Sequence, residues 1–158
     1  MGSEMCIRDR YYSVFSIEQL LKNVAISFAI SLDTNEADIE FSSCISDSLG
    51  EFTGDKIKLQ ELVLNLLKNA EEAITEQGSI HLAASRSGDI ITITCTDTGC
   101  GITPEQMECI FQPFVTYKQG GTGLGLAFSR KIAEAHEGTL TAVSTPQEST
   151  TFTVTLPV

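Results

Sequence analysis

Basic residues are scarce in this chain: ten Lys and Arg stand against 21 Asp and Glu, giving a formal net charge of −11. No Lys/Arg cluster offsets that balance. Nucleic acid and anionic membrane are therefore poor partners, since both need a basic patch. An acidic chain can still hold a polyphosphate if glycine-loop amides and a divalent metal supply the positive field. Cysteine pairs are missing as well. Cys6, Cys44, Cys95, Cys100 and Cys109 form no C-x-x-C pair and are odd in number, the pattern of thiols in a reducing cytosol rather than of disulfides or zinc. No apolar run approaches a membrane span and the start has no signal-peptide pattern, so a cytoplasmic domain is expected.

What is present suits one domain with a proper core: 158 residues, 42% hydrophobic, mean hydropathy +0.07. Residues 1–10 fit poorly with the rest. M-G-S is a common artificial start and E-M-C-I-R-D-R resembles translated sequencing adapter, so the domain is taken as residues 11–158 and the natural protein is expected to continue upstream.

The chain is arranged around residues 59–74, where Leu59, Leu62, Val63, Leu66, Leu67, Ala70 and Ile74 recur at helical spacing. Asn65 and Asn69 lie four apart at the edge of that apolar face, one turn above the other. Asparagine is an indifferent helix former. Two readings are open on these residues alone: a polar flank at the core boundary, or two side-chain carbonyls lining a cleft that holds a hydrated magnesium ion.

The remaining elements follow from pattern. Residues 15–30 read as an amphipathic helix with Ser16 as N-cap, and 37–41 alternate as a strand. A short extended piece at 49–52 precedes Thr53, Gly54 and Asp55, which start the asparagine helix; Gly78 is expected to close it. Strands at 80–84 and 90–96 flank a tight turn at 86–89. Pro104 opens a short helix, 124–136 reads as a helix ended by Gly138, and 139–143 with 151–156 make a closing hairpin. The sum is an α+β fold, a two-layer α/β sandwich with helices on one face of a mixed, mostly antiparallel sheet.

Two glycine stretches carry the chemistry. After the strand ending at Thr96 comes D-T-G-C-G-I at 97–102, a carboxylate at a strand end with backbone free to lie close to a flat ligand. Taken alone it is also a common turn. The second stretch, G-G-T-G-L-G-L at 120–126, opens a helix; each glycine there costs up to about 1 kcal/mol against alanine. The cost makes sense if amides must approach phosphate oxygens at a helix N-terminus. No Gly-Lys-Ser/Thr follows, unlike a Walker A loop, and no parallel strand–turn–helix unit surrounds it, unlike a Rossmann fingerprint.

The paired asparagines, D-T-G-C-G-I, F-Q-P-F at 111–114 and G-T-G-L-G-L at 121–126 occur in that order at fitting distances. Together they resemble the ATP-binding catalytic domain of bacterial two-component sensor histidine kinases, in the GHKL superfamily, over residues 15–158. The resemblance implies a Bergerat-type fold with ATP and Mg²⁺ as cofactors. It implies that Asp97 takes the adenine amino group, that Gly99, Gly101 and Ile102 shape the pocket, and that Thr151 helps through water. Asn69 and Asn65 would meet Mg²⁺. Gly121, Thr122, Gly123, Leu124 and Gly125 would cradle the phosphates, Phe111 and Phe114 would anchor a mobile lid, and Lys118 would reach the γ-phosphate. Asn69 and Lys118 are the implied catalytic residues.

The chain departs from the family pattern at Glu72, where many relatives carry a basic residue, at Glu137-Gly138 in place of Gly-Gly, and at Glu148, Ser149 and Thr150, where relatives often have glycine. Position 65 separates branches. Hydrolytic members place a glutamate there to activate water; Asn65 cannot take that proton, which leaves transfer to a neutral imidazole. Neither histidine fits the acceptor role. His136 is expected at a helix C-terminus, charged and complementing the dipole, and His81 in a strand. The acceptor would then lie on a separate or missing dimerisation domain, with a response regulator downstream. A stand-alone anti-sigma-type serine kinase and a degenerate nucleotide-binding module remain as other readings.

Overall fold

The asparagine helix forms where its apolar spacing predicts, and the sheet is assembled beneath it. The computed structural model describes residues 11–113 and 125–158. In chain order these form β1 (Ser13–Ser16), α1 (Ile17–Leu32), β2 (Asp38–Ile45), β3 (Glu51–Gly54) and α2 (Lys56–Ala73). Then come β4 (Gln77–Ser87), β5 (Ile90–Asp97), α3 (Pro104–Met107), α4 (Gly125–Ala135), β6 (Thr139–Thr145) and β7 (Ser149–Pro157). Five strands pair in the order β2-β4-β5-β7-β6. The β2–β4 pair is parallel and the other three are antiparallel. A separate ribbon pairs β1 with β3.

Period-two alternation decides which side of the sheet is the core. Ile91, Ile93, Cys95 and Asp97 of β5 are buried, while Thr92, Thr94 and Thr96 between them are half-buried. The helices cover the first side: Leu59, Leu62, Val63, Leu66, Leu67 and Ala70 of α2 join one hydrophobic cluster with α1, α4 and the sheet. Each such side chain contributes roughly 1.5–3 kcal/mol on full burial, which holds α2 against the sheet despite its two asparagines.

Local signals set the helix starts. Ser16 accepts from Gln19 N–H (3.2 Å) and Asp55 from Lys58 N–H (3.2 Å), each satisfying an otherwise open first-turn donor. Thr103 and Gln106 form a reciprocal capping box around Pro104. Gly88 takes φ 62° in the β4–β5 turn.

Three expectations change. Gly78 does not close α2; the helix ends at Ala73, Ile74 is already extended, and Gly78 lies within β4 beneath Ile74 and Thr98. The helix expected over residues 15–30 runs from Ile17 to Leu32, and Phe15 and Ser16 belong to β1, visible only through its pairing with the distant β3. The α4 terminus places Glu137, not a glycine, in the left-handed region (φ 62°), and Gly138 N–H donates to Ala133 O (2.8 Å). A Cβ at Gly138 would run into the Thr155 carbonyl, so that glycine serves close approach to β7.

Candidate functional site

The site is built from the register of two antiparallel helices. At one end, Asp55 N–H, the cap of α2, donates to His136 Nε2 (3.0 Å) just past the end of α4. In the middle, Asn65 Nδ2 donates to Ser129 Oγ (3.2 Å). One turn further along each helix lie Asn69 and Gly125, the first described residue of α4, and Gly125 lines the same groove as Asn65.

The Asp97 loop meets the other end of α2. Cys100 N–H donates to Ala73 O (3.0 Å), and a Cβ at Gly99 would run into that same carbonyl. Ala73 is one turn beyond Asn69 and two beyond Asn65, so Asp97's loop and both asparagines span roughly 12 Å of helix rise. Asp97 itself is 2% exposed and its Oδ1 accepts from Gly99 N–H (2.8 Å), which holds the loop closed on the strand end. Gly101 at φ 73° packs on the backbone of Thr145 and Pro146, and Gln147 N–H donates to Cys100 O (2.7 Å). Ile102 N–H donates to Ser144 Oγ (2.7 Å). That hydroxyl in turn bonds Thr150 Oγ1 (2.8 Å).

These bonds overturn one assignment. Thr151 lies on the far side of the sheet, with its hydroxyl against Thr96 Oγ1 (3.0 Å). Thr150 is the residue paired with Asp97 and is buried at 3% exposure. A one-residue step along a strand exchanges faces, so the hydroxyl on Asp97's side is that of Thr150.

An open groove of about 430 Å³ runs along the α2–α4 contact, lined by Asn65, Pro113, Gly125, Ala127, Phe128 and Lys131. A Cβ at Gly125 would meet no atom of the described residues within 4 Å. Phe111, ahead of the groove, stands edge-on to Phe152 (centroids 6.5 Å apart) beneath the Arg130 guanidinium. Phe114, Lys118, Gly121, Thr122, Gly123 and Leu124 lie outside the described residues.

Beneath the site, burial pushes the Cys95 thiol up to about 12, helped by the nearby Asp97 charge. Its Sγ faces Leu66 O (3.7 Å) under α2, where it packs as a protonated thiol.

His136 lies just past the C-terminus of α4, as expected from sequence, but not as a charged partner of the dipole. It is buried, accepts at Nε2 from Asp55 N–H, and bonds Ile132 O through Nδ1 (2.8 Å), an arrangement of the neutral ring. Tyr12 stacks on it at 5.0 Å. His81 is exposed on β4, bonded to Ser42 Oγ (2.7 Å).

The donor set fits a magnesium nucleotide. Amide oxygens are hard ligands, and Mg²⁺ keeps water and phosphate oxygens rather than a full protein cage. Among the described residues no group of three His, Cys, Asp or Glu stands together to make such a cage.

A family model described as "Histidine kinase-, DNA gyrase B-, and HSP90-like ATPase" matches residues 54–158. The chain belongs to this family. Its named relatives include sensor histidine kinases. Sensor histidine kinase ZraS of Escherichia coli K12 is 41% identical over 129 residues, 82% of this chain and 28% of that protein. Sporulation kinase B of Bacillus subtilis is 44% identical over 105 residues, 66% of this chain and 24% of that protein. The chain thus spans about a quarter of the length of these relatives. Among solved structures, the catalytic domain of histidine kinase ThkA aligns at TM-score 0.81 and 26% identity, covering 92% of this chain and 95% of that one. Full-length ShkA in complex with AMPPNP aligns at TM-score 0.79 and 30% identity over 92% of this chain and 31% of that one. The fold is that of histidine kinase catalytic domains, and the chain is a histidine kinase-type ATPase domain.

Sequence reasoning missed Thr150, Ser129 and Lys131. The first was one step out of phase. Ser129 left a faint signal, a hydroxyl on the buried face of an amphipathic helix; Lys131 left none beyond lying on the same helix as Gly125.

Proposed function

We propose that this chain binds Mg·ATP between the Asp97 loop and the α2–α4 pair and transfers the γ-phosphate to a histidine on a dimerisation domain. The observation that supports this is the antiparallel register of α2 and α4, with Asn65 bonded to Ser129 and sharing a groove with Gly125. Asp97 would accept the adenine amino group, with Gly99, Gly101 and Ile102 as walls and Thr150 on the same face. Asn69 and Asn65 would hold magnesium, and Gly121, Thr122, Gly123, Leu124, Gly125 and Lys118 the phosphates. Bound magnesium would neutralise charge across the phosphate oxygens.

The chain's own contribution is positioning and charge. Helix amides at the start of α4 offer donors to the phosphate tail. No carboxylate occupies position 65, so water is not deprotonated there, and an acceptor that is already nucleophilic at neutral pH is required. Imidazole meets that need; a serine hydroxyl does not. Similarity to proteins named as sensor histidine kinases supports the same choice over a stand-alone serine kinase.

His136 is buried and doubly hydrogen-bonded, so the acceptor histidine belongs to a helical partner, with a response regulator downstream. Among the described residues no helix is long and apolar enough to cross a membrane; we place the domain in the cytoplasm, whether or not its parent is membrane-tethered. Mixing the chain with a histidine-bearing dimerisation domain and γ-labelled ATP tests the reading. Acid-labile label on the added domain is expected; saturating Mg·ATP with no label on either protein would overturn it.

A further inference from the structure

The loop after β5 is anchored twice to one row across the sheet. Register places Asp97 beside Thr150 of β7, and Thr150 beside Ser144 of β6. Directly opposed residues share a face, so the three side chains stand in line across roughly 10 Å at the usual strand spacing. Asp97 and Thr150 are buried and Ser144 is half-buried. The chain leaves this row at Asp97 and returns to it at Ile102, whose N–H donates to Ser144 Oγ (2.7 Å). A backbone N–H can only donate, so the serine oxygen is the acceptor there. The hydroxyl proton is left for β7, where Ser149 O and Thr150 Oγ1 each lie 2.8 Å away. The hairpin turn backs the same limb of the loop: Gln147 N–H donates to Cys100 O (2.7 Å), and a Cβ at Gly101 would run into Thr145 O.

We propose that Ser144 is the positioning residue of the Asp97 loop: by holding Ile102 N–H at the far end of the row, it sets the distance between the Asp97 carboxylate and the Ile102 wall. This rests on the Mg·ATP reading above, in which those two residues bound the adenine, and adds what fixes their spacing. Asp97 is placed by its strand ladder. Ile102 lies between β5 and α3, outside both, so no ladder places it. A loop already held in its binding shape loses less freedom when a ligand arrives, which raises affinity without a new contact. Alanine at 144 keeps the strand and the Gln147 bond but removes the acceptor. Water can take its place on a half-buried N–H, so the fold survives while the spacing is released. None of these bonds involves Asn65 or Asn69, so the effect belongs to the base end and is indifferent to Mg²⁺.

The test uses the full chain with Ser144→Ala and Ser144→Thr, each checked by thermal melting. Backbone amides are followed by NMR without nucleotide, and ADP is titrated with and without Mg²⁺. In Ser144→Ala the Ile102 amide should shift and exchange faster with water, with changes confined to the loop and the hairpin turn. ADP affinity should fall roughly fivefold, the worth of about one net hydrogen bond, and equally with and without metal. Ser144→Thr keeps the hydroxyl on a residue suited to a strand and should restore both readings. Should Ser144→Ala fail to fold, Ser144→Cys replaces it, a weaker acceptor of similar size with a partial loss expected. An unmoved Ile102 amide, an unchanged ADP affinity, a loss seen only with Mg²⁺, or a folded Ser144→Thr that behaves like Ser144→Ala overturns the proposal. So do amide changes spread over the whole sheet with a matching fall in melting temperature, the mark of a merely structural residue. A wild-type chain that binds no ADP under either condition overturns the nucleotide reading instead, and the Ile102 amide alone then decides whether Ser144 holds the loop.

Discussion

The backbone N–H of Asp55 donates to Nε2 of His136 across 3.0 Å, fixing the start of α2 to the end of α4. His136 is held from its other side by Ile132 O and covered by Tyr12, whose hydroxyl donates to Ala135 O (3.0 Å). The ring acts as a clamp between the two helices whose opposite ends carry Asn69 and Gly125. His136→Ala should cost about 2–3 kcal/mol, from a lost hydrogen bond to the cap and a cavity under Tyr12. Urea denaturation followed by circular dichroism measures this. A loss under about 0.5 kcal/mol would show the clamp to be idle.

Two glycines should separate cleanly. Gly99→Ala drives a methyl into the Ala73 carbonyl and should destabilise on the order of 3 kcal/mol. Gly125→Ala meets no atom of the described residues within 4 Å and should leave the melting temperature unchanged or slightly raised, since alanine favours helix by up to about 1 kcal/mol. Its effect should show only in nucleotide affinity, where the methyl crowds the groove shared with Asn65. Thermal melts with and without an ATP analogue distinguish the two.

Asp97→Asn keeps an oxygen for Gly99 N–H but replaces the second carboxylate oxygen by a donor. The fold should survive, and ATP affinity should fall by about 1.5–3 kcal/mol, the range for hydrogen bonds to charged groups. Competition against GTP provides the check, because the loss should be larger for the adenine nucleotide.

Cys95 should be silent toward thiol reagents in the folded chain, while exposed Cys44 and Cys100 react. Its thiol is raised from 9.0 to about 12, chiefly by burial and then by the Asp97 charge. The folded state thus holds the proton more tightly. Its contribution is full below pH 9.0 and is lost as pH climbs from 9.0 toward about 12. Reagent titration against urea should show one late-reacting thiol whose exposure tracks global unfolding; early reaction would contradict its place beneath α2.

Much of this was legible in the chain. Helices α1 and α2 follow from 3.6-residue periodicity and from the caps Ser16 and Asp55. The α+β sandwich follows from threonine alternation in β5 and β7. What escaped was fixed by distant partners. β1 exists because β3 pairs with it, and Gly78 has the local pattern of a helix stop but is held in β4 by its strand register with Ile39. Thr151 and Thr150 share a strand, and only the pairing of Thr150 with Asp97 tells which one faces the pocket. His136 sits at a helix end, where a charged ring is the common solution; contact with Asp55, 81 residues away in sequence, makes it a neutral acceptor. Local pattern states what a residue can do, and tertiary register states to whom.

On the proposed function, two asparagines and two glycine turns surround one metal-bound triphosphate. Titration calorimetry of a non-hydrolysable ATP analogue into wild-type and Asn69→Ala chains, each with and without Mg²⁺, tests it most directly. Wild type should bind markedly tighter with Mg²⁺, and Asn69→Ala should lose that gain while keeping its metal-free affinity. Binding that ignores Mg²⁺ in wild type, or a gain that survives intact in Asn69→Ala, would contradict it.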